Sequence, residues 1–352
     1  MREWIVYGID QRSRTRLPLS LAVKARALRA FYTKVAPLGA AFVALWLASC
    51  RDDLPAPDSP PRTTLPDAGN TQREAAAPPP DLPGVKVASF NVRRLFDTTC
   101  DTGDCGPGAY EEAPSAERFS AKVSELAVAI TRLRANIVFL QEVETRGCLD
   151  ALKAQLQGLP NAYLAETDLP ASVDVGILSA YPISELRSHI GTAIPLPNGE
   201  PTAFTRDLLE AHITAPEGEI IAFVAHFRSK VNDDPDRRLA EARAARRIVL
   251  EAAARSPKAI VLLGGDLNDV PGSPPLEALG EGGALVRVSE GLANLDIGTI
   301  RYNGGLLAID HFFLVRASAG MAVPGSFQVF REESTGWGGS DHGAIRANFT
   351  RR

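Results

Sequence analysis

Five short apolar segments of this chain each end in a carboxylate, an amide or an imidazole, and this repeated ending constrains the fold more than any other feature. The segments end at Asn91, Glu142, His226, Asp266 and Asp310. A single ending of this kind indicates a turn, because Asp and Asn hydrogen-bond to nearby backbone. Five of them predict strands whose polar ends gather in one cleft.

The strands and helices follow from the spacing of apolar residues. Residues 85–90 alternate as a strand, and apolar residues recur at steps of three and four over 119–133, which is typical of an amphipathic helix. Further helices are predicted near 149–156 and over 236–254. Further strands are predicted over 137–140, 173–178, 208–214, 219–227, 259–263, 308–315 and 345–349. Mixed strands with a few long helices predict one α/β domain in which two sheets pack face to face.

The first 49 residues have the pattern of an export signal. A basic stretch precedes an apolar run over 35–47, and Leu47-Ala48-Ser49-Cys50 resembles a bacterial lipobox, which implies lipidation of Cys50. A membrane-spanning or buried helix is the alternative, but about 13 apolar residues fall short of the roughly 20 that cross a bilayer. We therefore expect an exported lipoprotein that is anchored to a membrane, on the periplasmic face or at the cell surface.

Three parts of the chain differ in composition. Residues 1–49 are the predicted signal, residues 50–84 are rich in proline and predict a disordered tether, and residues 85–352 form the predicted catalytic domain. The whole chain has a net charge of −4, but residues 85–352 contain 27 basic and 34 acidic residues. This acidic domain excludes a generally basic protein that coats nucleic acid.

Three cysteines follow the predicted signal, namely Cys100, Cys105 and Cys148. An exported protein meets oxidising conditions, so a disulfide between Cys100 and Cys105 is one expectation and three free thiols are the other.

The polar strand ends have the composition of a metal-dependent site. Three of the five histidines in the chain, His226, His311 and His342, lie at these ends or in the loop Ser340-Asp341-His342. Carboxylates that cluster repel one another, and a hard divalent cation relieves this repulsion.

The sequence resembles the endonuclease/exonuclease/phosphatase superfamily from about Val85 to Phe349. That superfamily includes pancreatic deoxyribonuclease, abasic-site endonucleases and bacterial sphingomyelinases. The matching segments are Ser89-Phe90-Asn91-Val92, Leu140-Gln141-Glu142-Val143, Gly176-Ile177-Leu178-Ser179, Tyr181-Pro182-Ile183, Ala225-His226-Phe227-Arg228-Ser229-Lys230, Gly264-Gly265-Asp266-Leu267-Asn268-Asp269, Ile309-Asp310-His311 and Ser340-Asp341-His342. The resemblance implies a four-layer α-β-β-α sandwich of two mixed sheets.

The resemblance also implies a divalent metal, Mg²⁺ with Mn²⁺ or Ca²⁺ as alternatives. Glu142 is expected to be the main ligand, and Asn91 and Asp341 are expected to bind the metal directly or through water.

Five further residues match catalytic positions of the superfamily. Asp266 is expected to orient or deprotonate the attacking water, and Asn268 to hold that water or the phosphate. His342, held by Asp310, is expected to donate to the scissile phosphate, and His226 to contact a phosphate oxygen or assist the leaving group. By contrast, His311 should point to the opposite strand face and Asp269 should form a turn.

The sequence identifies substrate-binding residues less specifically than the catalytic positions. Arg206 resembles an arginine near the phosphate path, with a surface salt bridge as the alternative, and Arg228 and Lys230 lie directly beyond His226, where a polynucleotide backbone would run. We therefore expect a nuclease that acts on DNA or RNA as a monomer without an obligate protein partner. Its alternatives are a phosphomonoesterase, a sphingomyelinase-like lipid phosphodiesterase and an inactive binding lipoprotein. The tryptophans offer no exposed aromatic hairpin for a bilayer.

Overall fold

A computed structural model describes residues 82–332 and 336–352 of the chain. The predicted signal over 1–49, the predicted lipidation site Cys50 and nearly all of the predicted tether lie outside the described residues. Within the two described ranges, no helix is both long and apolar enough to cross a membrane.

The helices begin where side chains satisfy their first backbone N–H groups. The Ser115 hydroxyl accepts a hydrogen bond from Arg118 N at 3.3 Å, and the Asp234 carboxylate accepts one from Arg237 N at 3.0 Å. The helices in chain order are α1 (Ala116–Leu133), α2 (Arg146–Ala154), α3 (Pro235–Arg255), α4 (Pro274–Gly280) and α5 (Asn294–Ile297), with a short 3-10 helix at Glu281–Gly283.

The strands divide into two large sheets and two small hairpins. In chain order they are β1 (Val85–Leu95), β2 (Ile137–Val143), β3 (Asn161–Ala165), β4 (Asp174–Ser179), β5 (Ile183–Ser188), β6 (Ile194–Pro195), β7 (Pro201–Thr202), β8 (Leu209–Ala215), β9 (Gly218–His226), β10 (Ile260–Asp266), β11 (Leu285–Arg287), β12 (Ile300–Tyr302), β13 (Gly305–Leu307), β14 (Asp310–Val315), β15 (Gly320–Ala322), β16 (Gln328–Phe330) and β17 (Ala344–Arg351).

Each large sheet contains one parallel pair among antiparallel neighbours. The first sheet has the order β15-β17-β1-β2-β4-β3, with β16 also paired to β17, and the second has the order β11-β14-β10-β9-β8-β5. The parallel pairs are β1 with β2 and β9 with β10. The carboxyl ends of the two strands in each pair therefore lie side by side.

The apolar residues form three layers of core between four layers of structure. Phe139, Phe312 and Phe349 fill the space between the sheets, where neighbouring rings lie 5.9 Å apart edge to face. The apolar faces of α1 and α2 cover the outside of the first sheet, and those of α3 and α4 cover the outside of the second. The predicted four-layer α-β-β-α sandwich of two mixed sheets is confirmed.

All the predicted strands and helices are present, with ends shifted by a few residues. The helix predicted near 149–156 spans Arg146–Ala154, because Thr145 caps it by accepting from Cys148 N at 3.2 Å. Several strands at sheet edges and in small hairpins were missed. The edge strand β5, for example, is mostly exposed or half-buried along its length, so its sequence lacks the apolar alternation of a strand with one buried face.

The structure distinguishes between the two expectations for the cysteines. Cys100 and Cys105 form a disulfide that closes the loop between them. Cys148 is a free thiol on the buried face of α2, and burial raises its pKa to about 11.

The two remaining histidines, His189 and His212, belong to a buried charge cluster. Glu210 on β8 is fully buried, and its carboxylate accepts from Arg187, His189 and His212 at 2.7, 2.8 and 2.9 Å. Burial raises the pKa of Glu210, but the hydrogen bonds from the two imidazoles and the charge of Arg187 outweigh it and lower the pKa from 4.5 to about 2. The cluster stabilises the fold through an ionised buried carboxylate.

The lowered pKa of Glu210 predicts how stability depends on pH. The folded protein favours the carboxylate, so this contribution is complete above the ordinary pKa of 4.5 and is lost as pH falls towards about 2. We expect the free energy of unfolding, measured with urea, to decrease over this pH range and to decrease less steeply in Glu210→Gln. The control is Glu251→Gln, which changes an exposed glutamate of α3. If Glu210→Gln and the wild type give parallel curves, the cluster does not stabilise the fold in this way.

Candidate active site

The polar strand ends meet at one edge of the sandwich. Asp266 ends β10 and lies in register with His226 of the parallel strand β9 and with Asp310, which begins the antiparallel strand β14. In the first sheet, Asn91 and Glu142 lie near the ends of the parallel strands β1 and β2. Both sheets therefore place their polar ends in the same cleft, as the sequence predicted.

Two glycines before Asp266 allow the neighbouring strands to approach closely. A Cβ atom on Gly264 would lie 2.3 Å from the Phe312 ring, and one on Gly265 would lie 1.9 Å from the carbonyl oxygen of Ala225. Gly265 also has a φ of +144°, which favours glycine. The Gly264-Gly265 pair thus fixes the depth at which Asp266 enters the cleft.

The carboxylate of Asp266 is the centre of the site. It accepts from Asn91 Nδ2 at 3.1 Å and from Asn268 N at 2.9 Å. Its Oδ2 atom also lies 3.6 Å from His226 Nε2 and 3.8 Å from His342 Nε2. Asp266 therefore contacts residues from three other segments of the chain.

Asn91 connects Asp266 to Glu142. The Asn91 amide nitrogen donates to Glu142 Oε1 at 3.0 Å, and its amide oxygen accepts from Arg93 N at 2.9 Å. The second oxygen of Glu142 accepts from Arg94 N at 2.9 Å. Glu142 has a φ of +66°, and the β1–β2 register shifts here, so the carboxylate leaves the regular alternation of β2.

The loop before β17 brings Asp341 and His342 to the same edge. The Ser340 hydroxyl donates to the Asn91 carbonyl at 2.7 Å and accepts from His342 N at 3.1 Å, so it ties the loop to β1. The Asp341 carboxylate lies 3.5 Å from Arg93 Nε. The sequence contained Ser340 only as part of a motif, and the structure gives it this anchoring contact.

His342 and Asp310 form a buried pair. His342 Nδ1 donates to Asp310 Oδ2 at 3.0 Å. Burial lowers the pKa of His342, but Asp310, through its charge and its hydrogen bond, and the charge of Asp266 raise it above the ordinary value. We therefore assign a protonated imidazolium to His342, with its Nε2 side towards Asp266.

The pKa values of Asp266 and His226 also shift, in directions that suit acid–base chemistry. Burial raises the pKa of Asp266, which makes its carboxylate a stronger base. Burial, with Arg206 and the charge of His342, lowers the pKa of His226 well below its ordinary value. The cleft thus holds a cationic imidazole, a neutral imidazole and a basic carboxylate.

The donor set fits a hard divalent cation. Both Glu142 and Asp341 lie near the Lys122 ammonium: burial lowers the pKa of Lys122, and the charges of Glu112, Glu142 and Asp341 oppose this shift only in part. Each Glu142 oxygen accepts one hydrogen bond and keeps a lone pair for a metal. Asn91 presents its amide nitrogen to Glu142, so it could bind a metal only through the second lone pair of its oxygen.

Arg206 lies beside His226 in the cleft. Its charge lowers the pKa of His226, its guanidinium lies 3.4 Å from the Phe227 carbonyl oxygen, and it hydrogen-bonds the Tyr110 hydroxyl. Tyr110 lies in a polar loop without apolar periodicity, so no sequence pattern indicates its position in the cleft. Its ring is 50% exposed and stacks 4.6 Å from the Arg94 guanidinium.

Arg228 and Lys230 contact a supporting layer behind the centre. Lys230 Nζ lies 2.7 Å from Asp269 Oδ1, and the other Asp269 oxygen accepts from Arg238 Nε at 2.9 Å. The Arg228 backbone N–H donates to the buried carboxylate of Glu241 at 2.6 Å. The Asp269–Arg238 pair is buried, so the Arg238 side chain points from α3 towards the interior.

His311 and Asn268 are both held by hydrogen bonds to backbone carbonyl oxygens. His311 Nε2 donates to the Asp269 carbonyl at 3.0 Å, and burial lowers its pKa to about 4, as suits a neutral structural histidine. Asn268 is fixed by its amide nitrogen, which donates to the Phe227 carbonyl at 3.1 Å.

Solved structures show the same fold at low sequence identity. Truncated TDP2 from Caenorhabditis elegans has a TM-score of 0.54 and 18% identity, over 76% of this chain and 97% of that chain. Sphingomyelinase C from Streptomyces griseocarneus has a TM-score of 0.52 and 18% identity, over 76% and 99%. An endonuclease/exonuclease/phosphatase family protein from Bacteroides thetaiotaomicron has a TM-score of 0.52 and 16% identity, over 76% and 95%.

No curated protein sequence matches the chain significantly. The sequence of residues 88–342, however, matches the Endonuclease/Exonuclease/phosphatase family. This range is most of the chain and includes the cleft residues from Asn91 to His342. The protein therefore belongs to the Endonuclease/Exonuclease/phosphatase family, whose members are metal-dependent hydrolases of phosphoester bonds.

Proposed function

We propose that the protein is a Mg²⁺-dependent nuclease that cleaves phosphodiester bonds within DNA or RNA. The observation that carries this proposal is the rim of the cleft, where Arg206 and the half-exposed ring of Tyr110 meet beside His226. A cation next to a stacking ring suits a polynucleotide, which offers a phosphate and a base in succession. TDP2 from Danio rerio has the same fold and was solved with a single-strand DNA product.

The proposed mechanism assigns one task to each group of the cleft. Glu142 and Asp341 would hold the metal, which supplies positive charge to the phosphate oxygens when bound. Asp266 accepts the proton of the attacking water, and Asn268 holds that water or the phosphate in line. The cationic His342, held by Asp310, donates a hydrogen bond to a phosphate oxygen.

His226 and Asn91 complete the mechanism. The neutral His226, beside Arg206, contacts a phosphate oxygen or assists the leaving oxygen. Asn91 donates to both Glu142 and Asp266, so it fixes the separation between the metal ligand and the base.

A lipid phosphodiesterase is the second candidate, and one observation favours it. The hairpin β12–β13 carries Tyr302, which is 65% exposed, and Leu295 on the preceding helix α5 is 72% exposed. The exposed aromatic residue of this hairpin is a tyrosine, so the positions of the tryptophans gave no indication of it. The hairpin turn is Asn303-Gly304, a polar pair, so its apolar surface is small for a segment that enters a bilayer.

Loss of the main metal ligand tests the shared chemistry. Glu142→Gln keeps the shape but removes a ligand charge, so we expect turnover of plasmid DNA or RNA to fall at least about 100-fold and the required Mg²⁺ concentration to rise. The measurement is initial rate against Mg²⁺ for the full chain. Glu251→Gln is the matched control and should retain wild-type rates.

A substrate panel separates the candidates in the same assay. Plasmid DNA, RNA, sphingomyelin vesicles and a chromogenic phosphate monoester are each incubated with Mg²⁺ and with a chelator. Cleavage of nucleic acid that the chelator abolishes supports the proposal. Activity that persists in the chelator, or activity confined to sphingomyelin or the monoester, contradicts it.

The salt dependence of binding tests the predicted backbone contacts. Each phosphate that a cation neutralises contributes a slope of roughly −0.7 to −0.9 in log affinity against log salt. We expect Arg228→Ala to flatten the slope for DNA or RNA by about one contact while kcat on a short phosphodiester is retained. Lys230→Ala should also lower kcat, because it removes a partner of the buried Asp269.

The exposed Arg247 on α3 provides the control for this measurement. Arg247→Ala should leave the salt slope unchanged. Parallel lines for wild type and Arg228→Ala would mean that Arg228 does not follow the nucleic-acid backbone.

We further propose that the enzyme is exported and held at a membrane through a lipid on Cys50. The support is the Leu47-Ala48-Ser49-Cys50 tetrapeptide after an apolar run. Metabolic labelling with a fatty acid should mark the wild type and Cys148→Ser, which loses a buried thiol instead, but not Cys50→Ser. Labelling or membrane partitioning that persists in Cys50→Ser would exclude this anchor.

A further inference from the structure

A second group of acids lies beside the cleft, directly after β2 and on the loop that follows β1. Carboxylate oxygens of Asp101, Glu111 and Glu144 all lie within 4.8 Å of one another, and one oxygen each of Asp97 and Glu144 lies equally close to Cys148 Sγ. Glu144 belongs to both groups and is therefore central. None of these acids contacts Asp266 or the histidines of the cleft through a hydrogen bond.

The disulfide loop holds these acids in place. The Glu111 carboxylate is buried and accepts from Asp101 N at 2.6 Å, from Thr102 N at 2.8 Å and from the Thr102 hydroxyl. Asp101 and Thr102 lie inside the loop that the Cys100–Cys105 disulfide closes. The arrangement is thus built before any ligand binds, which lowers the entropic cost of binding.

The negative charge of this group has no cationic partner. Among the described residues, no Lys, Arg or His side chain forms an ion pair with Asp97, Asp101, Glu111 or Glu144. Buried acids in proteins are normally paired or bind a metal.

Glu144 supplies a separate indication of a ligand. The side chain is only 2% exposed, and its Oε2 atom accepts from Asp97 N at 2.7 Å. Its Oε1 atom is buried and has no hydrogen-bond partner among the described residues. An unsatisfied buried carboxylate oxygen is costly, and a cation at this point would satisfy it.

We propose that Glu144, Glu111 and Asp101 bind a structural Ca²⁺ ion, with Asp97 at its edge. Their carboxylate oxygens are close enough to contact a single ion. Ca²⁺ takes six to eight oxygen ligands in flexible geometry, whereas Mg²⁺ keeps several of its waters and is rarely held by protein carboxylates alone. Calcium therefore fits this group better than the ion proposed for catalysis.

The ion would also stabilise the rim of the cleft. Tyr110 directly precedes Glu111, and its ring contacts Arg94 and Arg206. A cation that fixes Glu111 and Asp101 thus fixes the loop that presents Tyr110. This role is independent of which substrate the cleft cleaves.

Calcium binding to the full chain tests the proposal in a Glu142→Gln background, which weakens the separate metal site of the cleft. Isothermal titration with CaCl₂ should give one ion per chain, and thermal unfolding should occur at a higher temperature in CaCl₂ than in a chelator. Adding Glu111→Gln should raise the Kd at least about tenfold, because a ligand charge is lost.

Two further variants make the result decisive. Glu112→Gln changes the exposed neighbouring glutamate and should bind Ca²⁺ as the background does. Asp101→Asn changes an exposed ligand, so it tests the site even if Glu111→Gln does not fold. The proposal is overturned if the background binds no Ca²⁺, or if Asp101→Asn binds as tightly as Glu112→Gln.

Discussion

The buried carboxylate of Asp266 is the contact on which the site depends, because it joins the two sheets at the edge where they end. It accepts a hydrogen bond from Asn91 of the first sheet, and it lies between His226 and Asp310 in the second sheet. Such a carboxylate is tolerated only where donors and cations surround it. The fold meets this condition by bringing four chain segments to one point, and the same segments supply the groups that phosphoester hydrolysis needs.

A second layer of buried charge supports this centre from the α3 side. The Asp269 carboxylate binds Arg238 and Lys230, and its carbonyl oxygen accepts from His311. Because Asp269 directly follows Asn268, these contacts fix the strand end that carries both Asp266 and Asn268. The buried Glu241 similarly accepts from the backbone N–H groups of Thr205 and Arg228, so one carboxylate positions both the loop before β8 and the loop after β9.

The sequence could predict the residues of the cleft because most of them lie at an end of a buried strand, and buried strands have an apolar pattern that is visible locally. It could not predict which charged residues turn inward. Arg238 is one of several arginines on α3, yet its side chain is buried and pairs with Asp233 and Asp269. Tyr110 and Glu111 lie in a polar loop, and only tertiary contacts bring that loop to the cleft.

Backbone conformation explains how neighbouring residues of β2 and β10 reach the cleft together. Glu142 and Asn268 have φ angles of +66° and +53°, a region that costs non-glycine residues about 1–3 kcal/mol. Each is held there by hydrogen bonds, Glu142 through Arg94 N and Asn268 through the Asp266 carboxylate and the Phe227 carbonyl. In a regular strand, successive side chains point to opposite faces of the sheet. The left-handed residues interrupt that alternation at the strand ends, so the hydrogen bonds that offset the strain are also those that direct Glu142 and Asn268, the proposed metal ligand and the proposed water-binding amide, into the same cleft.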